Sequence, residues 1–214
     1  MANLPKIPSH FQVFDNDLDE KANNHFKAAK AIAVDTEAMG LIHSRDRLCL
    51  VQICDEEDNV ACIRIQKGQK AAFKLKELME SPLIEKVFHF ARFDVAALAS
   101  NLEILVNPIF CTKVASKIAR TYSPRHGLKE VILELTGAEL DKQAQSSDWG
   151  KVEDLSQEQL AYAANDVRYL LKAKAKLEQM LKREDRWELA MSCFKCIPTM
   201  SKLDINRFGN VFDH

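Results

Sequence analysis

Asp35 and Glu37 stand two residues apart at the end of an apolar run, AIAVDTEAMGL from Ala31 to Leu41, that breaks at Gly40. Side chains on a strand repeat with period two, so a strand here turns both carboxylates to one face of a sheet. Two such charges ~4 Å apart, at an effective dielectric of ~20, repel by about 4 kcal/mol. A cation between them removes that cost. The plain alternative is a strand that surfaces into a polar turn, where acids are common. Asp94 falls just past a strand-like run and opens a helical one in HFARFDVAAL. Alone it is a first-turn acid suited to the helix dipole. Tyr162 and Asp166, four apart in LAYAANDVRYLL, share a helix face that Ala161, Ala163 and Ala164 would let approach a sheet closely. Their ordinary reading is a buried tyrosine beside a solvated aspartate, or Asp166 paired with Arg168 or Lys172.

Phosphate is the other chemistry on offer. His89 and Arg92 flank Asp94, and Arg120, Tyr122, Arg125 and His126 cluster around Pro124, with Lys113 and Lys117 one and two turns upstream. A basic helix face running into a basic loop is either solvated or a local phosphate site. Lys142, Ser146, Ser147 and Trp149, in and near QSSDW, are candidates for the same cleft, with Trp149 packed rather than stacked on a base.

These residues need elements to hold them. RLCLVQIC (Arg47 to Cys54) and NVACIRI (Asn59 to Ile65) read as strands joined by the acidic turn DEED, which makes an antiparallel meander with the Ala31 strand. Phe11 to Phe14 is a possible edge strand and Asp17 to Lys30 a polar helix. Strands at Lys86 to Phe90 and Ile109 to Cys111 alternate with helices at Ala71 to Glu80, Phe93 to Ser100 and Thr112 to Arg120, which implies parallel additions to the sheet. A helix from Gly127 to Thr136 closes at Gly137. Ser156 and Gln159 form a capping box for one long helix to about Arg183, and a last helix from about Asp185 ends before Pro198. The pattern predicts an α/β fold with a ribonuclease H-like mixed sheet flanked by helices.

At 214 residues, with 47% apolar and 29% charged content, the chain suits one domain with terminal additions. No apolar run approaches the ~20 residues of a membrane span, and the N-terminus lacks a signal-peptide pattern, so a cytoplasmic protein without a membrane partner is expected. A net charge of −1 argues against gripping long phosphate backbones by bulk attraction. The six cysteines read as free core thiols, and Cys193 and Cys196, a lone C-x-x-C with no second pair, as packing residues rather than a zinc or redox site.

Taken together, DTEAMGLIHSRDRLCLVQ, KVFHFARFD, IFCTKVASKIARTYSPRHGLKE, QSSDW and YAANDVRYL resemble the DEDD superfamily of 3′-to-5′ exonucleases. The likeness is to the subgroup with tyrosine before the last aspartate, to the ribonuclease D-like enzymes within it, and most narrowly to the nanoRNase C family, which degrades very short oligoribonucleotides. It implies that Asp35, Glu37, Asp94 and Asp166 hold two divalent ions and that Tyr162 positions or deprotonates the attacking water, of which the ordinary tyrosine pKa of about 10 favours positioning. An all-oxygen donor set suits Mg²⁺ or Mn²⁺ rather than Zn²⁺. It further implies residues 31–183 as the exonuclease domain, 1–30 as an extension packed on it, and 184–214 as a C-terminal helix and tail. Met39, Gly40 and Leu41 would meet the substrate, Leu41 as a wedge between two bases, as a leucine at the matching place does in the related oligoribonuclease family. Arg120, Tyr122, Arg125 and His126 would cap a 5′-phosphate. The implied assembly is a ring-shaped homo-octamer, to which the apolar Ile205, Phe208, Val211 and Phe212 lend support. Two other readings remain open: a broader exonuclease that trims longer RNA or DNA ends, and a non-catalytic binding module.

Overall fold

The computed structural model describes residues 8–140, 147–209 and 211. Within them, six strands form one mixed sheet in the order β1-β4-β3-β2-β5-β6. β2 (Ala31–Ala38), β3 (Leu48–Cys54) and β4 (Asn59–Arg64) make the antiparallel meander. β1 (His10–Asp15) joins β4 in parallel, and β5 (Glu85–Phe88) and β6 (Ile109–Cys111) extend the β2 side in parallel. The expected ribonuclease H-like arrangement is therefore present. An acidic turn connects β3 to β4 because Asp55 uses its own carboxylate to satisfy it, accepting from the backbone of Glu57 and of Asn59 at 2.9 Å each.

Eight α-helices flank the sheet among the described residues: α1 (Glu20–Lys27), α2 (Phe73–Glu80), α3 (Ala91–Leu102), α4 (Thr112–Ala119), α5 (Leu128–Thr136), α6 (Gln157–Arg168), α7 (Leu170–Arg183) and α8 (Trp187–Ile205). α6 lies across β2, β3 and β4, while α3 packs on β2, β3, β5, β6 and α8. The Ser156–Gln159 capping box that starts α6 is formed in both directions, at 2.9 and 3.2 Å.

Two expectations are corrected. The single helix predicted from Ser156 to Arg183 is two, joined at Tyr169; the side chain of Arg168, the last residue of the first, pairs with Asp58 across the fold at 2.5 and 2.8 Å. The last helix does not stop before Pro198 but contains it and runs to Ile205. Proline removes one helical N–H, and the turns beyond it are held from outside. Ser201 donates to the Arg92 carbonyl at 2.9 Å, and Asp204 pairs with the Arg92 guanidinium at 2.6 Å. All six cysteines are free. Cys49, Cys54, Cys62 and Cys111 are core residues, whereas Cys196 is exposed and Cys193 half-buried, so those two are not the packing residues expected.

Candidate active site

The apolar start of β2 is buried and its last turns come out beside α6. Alternation along the strand then does what the sequence requires: Asp35 and Glu37 face one way and Thr36 the other. On the first face, one carboxylate oxygen each of Asp35, Glu37 and Asp166 lie within 4.8 Å of one another. On the second, the Thr36 hydroxyl donates to Asp94 Oδ1 at 2.7 Å. Asp94, in the first turn of α3, is only 3% exposed, lies outside that 4.8 Å group and is still close enough for its charge to act on Glu37. The ordinary reading of Asp166 fails, because Arg168 is committed to Asp58.

Crowded together, with Asp94 and Asp166 buried and Asp35 and Glu37 partly so, these acids resist ionisation. Burial pushes Asp35 up to about 7. Burial first, then the charges of Asp35, Asp166 and Asp94, push Glu37 up to about 10. Burial followed by the Asp35 charge raises Asp94 and Asp166 well above the usual carboxylate range. Such a cluster fits a hard divalent cation, since the donors are all carboxylate oxygens and their uncompensated charge is what a cation supplies. A raised folded-state value means stability present below the unfolded value and lost as pH rises toward the folded one. For Glu37 that window runs from the ordinary 4.5 of a free glutamate to about 10. In chelator at pH 8, Glu37→Gln is therefore expected to melt above the wild type, with the gap closing toward pH 5. Equal melting curves at pH 8 would contradict the crowding.

Tyr162 precedes Asp166 by one helical turn and is buried, its ring 6.1 Å from that of Trp149. Burial, then the Asp166 charge, drive its hydroxyl far above the ordinary tyrosine range, so it serves as a hydrogen-bonding group rather than a base. His89 Nδ1 lies 2.9 Å from Thr112 Oγ1. Burial first, then Lys113, push His89 down to about 3, so it meets an anion as a neutral ring and not as a cation.

The acids open into a cleft of about 620 Å³ lined by Asp35, Glu37, Met39, Gly40, Leu41, His89, Ser147, Trp149, Tyr162 and Asp166. Of the basic candidates, Lys113 reaches it, 4.2 Å above the Phe90 ring. Others are placed elsewhere. Arg120 is fully buried and spends its guanidinium on Glu134, the Ser116 hydroxyl and the Arg125 carbonyl, so a phosphate role for it is corrected. Tyr122 donates to the same Glu134 at 2.6 Å. Arg92 is paired with Asp204, His126 lies 2.9 Å from Ser116 Oγ, and Arg125 is exposed. Lys142, Ser146 and Phe212 lie outside the described residues. The sequence reading missed Thr36, Phe93 and Lys129 as parts of the site. Thr36 had a signal, lying between the two acids; Lys129 had none, because only the packing of α5 brings it to the cleft. Gly40 lets the Asp46 carboxylate come close, since a Cβ there would sit 2.3 Å from Asp46 Oδ2 and displace that side chain. Asp46 in turn fixes the following turn by accepting from the Ile42 N–H at 3.0 Å.

Comparison with known proteins agrees with this geometry. The pattern of a 3′-5′ exonuclease family matches residues 11–182. Ribonuclease D of Acidiphilium cryptum is 34% identical over 186 residues, covering 87% of this chain and 47% of the relative. The ribonuclease D of Gluconacetobacter diazotrophicus is 33% identical over 161 residues, 75% of this chain and 40% of the relative. The chain thus spans under half the length of these curated relatives. Among solved structures, Brucella melitensis NrnC superposes with a TM-score of 0.89 at 47% identity, covering 95% of this chain and 98% of that one. That protein has also been solved bound to pGG and with bound Mg²⁺.

Proposed function

The chain belongs to the 3′-5′ exonuclease family, and from that premise we propose that it hydrolyses very short oligoribonucleotides, dinucleotides above all, to mononucleotides. One observation carries the reading: the carboxylates of Asp35, Glu37 and Asp166 converge within 4.8 Å in the wall of a single cleft that Tyr162, one helical turn before Asp166, also lines. In this reading Asp35, Glu37, Asp94 and Asp166 hold two divalent ions, Mg²⁺ or Mn²⁺. The ions supply charge stabilisation for the attacking and leaving oxygens of an in-line displacement. Asp35, Glu37 and Asp166, whose oxygens converge, would together hold one such ion. Asp94 would complete the set, its carboxylate held in place by the Thr36 hydroxyl. Tyr162 orients the attacking water by hydrogen bonding. The binding of pGG by the Brucella protein supports short RNA as substrate.

The test is turnover of 5′-labelled RNAs two to seven nucleotides long, with and without chelator. Loss of turnover in chelator and its return on adding Mg²⁺ are expected. Turnover unaffected by chelator would overturn the proposal.

We also propose a homo-oligomer, an eight-membered ring, working in the cytoplasm as free thiols suit. Phe208 and Val211 in the C-terminal segment are 68% and 53% exposed, and Leu189 on α8 is exposed as well. Exposed apolar groups at the C-terminal end are one reason to expect a partner surface there. Light scattering is expected to report the oligomer at micromolar concentration; a monomer alone would refute it.

A further inference from the structure

Gln52 is the one amide in a strand otherwise built of Leu, Cys, Val and Ile, and every residue of that strand is buried. It is 0% exposed, and neither its Oε1 nor its Nε2 has a hydrogen-bond partner. Burying a carboxamide with both ends unclaimed is costly, and an apolar side chain of the same size would avoid the cost. The strand register supplies a reason for it. Gln52 sits directly opposite Asp35 on β2, with Cys62 opposite it on β4. Directly paired residues project to the same face, so Gln52 lies on the face that carries the acids, under α6. The next member of the row feels those acids: the Cys62 thiol is pushed up by burial, then by Glu37 and Asp35.

We propose that Gln52 is a positioning residue for Asp35, its carboxamide holding the Asp35 carboxylate through one enclosed water so that the carboxylate stays turned toward the cations. Side chains paired this way have Cβ atoms about 4.5–5.5 Å apart, which places a carboxamide and a carboxylate close enough to share a water. A buried water needs two to four polar partners, and the two ends of Gln52 with the Asp35 oxygens provide them. Partners of metal-ligating carboxylates fix ligand orientation, and their loss costs roughly 10–100-fold in metal affinity or rate. The proposal rests on the exonuclease-site reading above and adds to it a residue outside the acidic set.

The test is Mn²⁺ binding by calorimetry, without substrate, on wild type, Gln52→Met and, as a control on the opposite face of the same strand, Ile53→Val. Gln52→Met is expected to bind Mn²⁺ at least ~10-fold more weakly, to melt in chelator at or above the wild-type temperature, and to lose kcat with little change in KM. Ile53→Val is expected to melt lower and keep its affinity. A purely structural role for the amide predicts the reverse for Gln52→Met, lower melting with unchanged affinity, and a Kd within twofold of wild type would overturn the proposal. If Gln52→Met does not fold, Gln52→Asn, which keeps the amide one methylene short, is measured in its place against the same criterion. Wild-type protein that fails to bind Mn²⁺ would undo the site reading itself, a different outcome from wild-type binding matched by the variant.

Discussion

Asp35→Asn and Asp166→Asn are each expected to lower the hydrolysis of short RNA by at least ~1,000-fold while the protein melts no lower than wild type in chelator. The two halves have one cause. Each carboxylate is crowded among others, and its ionisation is opposed first by burial and then, for Asp166, by the charge of Asp35. Asparagine keeps the shape and removes the repulsion, so the fold loses nothing. The same change removes a ligand charge, and several kcal/mol of lost charge stabilisation at ~1.4 kcal/mol per decade gives three decades or more. Tyr162→Phe separates the two roles. It leaves every carboxylate in place, so Mn²⁺ affinity is expected within a few-fold of wild type while the rate falls by about 10²-fold. Calorimetry and single-turnover assays on variants purified free of host nucleases decide the matter. Turnover surviving in Asp35→Asn would remove that residue from the metal site, and wild-type rates in Tyr162→Phe would remove the tyrosine from the mechanism.

How much of this was legible in the chain follows from which interactions are local. Asp35, Glu37, Tyr162 and Asp166 were visible because strand and helix periodicity alone decide that members of each pair share a face. The meander was visible because apolar runs and a self-satisfying acidic turn are short-range features. The break at Tyr169 and the helix through Pro198 were not, since the partners of the residues around them lie far away in sequence: Asp58 for Arg168, and Arg92 for Asp204 and Ser201. Arg120 shows the limit most clearly. A basic residue in a basic cluster reads as a phosphate ligand, yet Glu134, fourteen positions on and one helix away, turns it inward. Charge type can be read from a sequence. Which charges have already been neutralised by a distant partner cannot, and that accounting decides which cations are left for a substrate.

That accounting also sets the last expectation: catalytic efficiency on a 5′-phosphorylated dinucleotide exceeds that on a seven-nucleotide RNA by tenfold or more. Leu41 is 81% exposed and lines the cleft, three residues after the acid-bearing strand, on a turn held by Asp46. An apolar side chain left in water at that position is costly unless a substrate covers it, and a base stacked on either side would do so. At about 620 Å³ the cleft is within the ~300–1,000 Å³ of small-ligand sites, a size for two nucleotides rather than a groove for a strand. With Arg120 committed elsewhere, the lysines and arginines that line it among the described residues are Lys113 and Lys129. A charge-assisted hydrogen bond is worth roughly 1.5–3 kcal/mol, so one to each lysine from a terminal 5′-phosphate suffices for a tenfold preference or considerably more. A longer chain carries a diester there, with less charge and an added nucleotide to place. Lys129→Ala is therefore expected to erase most of the advantage of the 5′-phosphate, Leu41→Ala to lower efficiency on the dinucleotide, and neither to change Mn²⁺ affinity, because neither touches an acid. Equal efficiency on two and seven nucleotides would return the protein to the general trimming exonucleases. A 5′-phosphate preference that survives Lys129→Ala would shift the capping role to Lys113 or to the exposed Arg125.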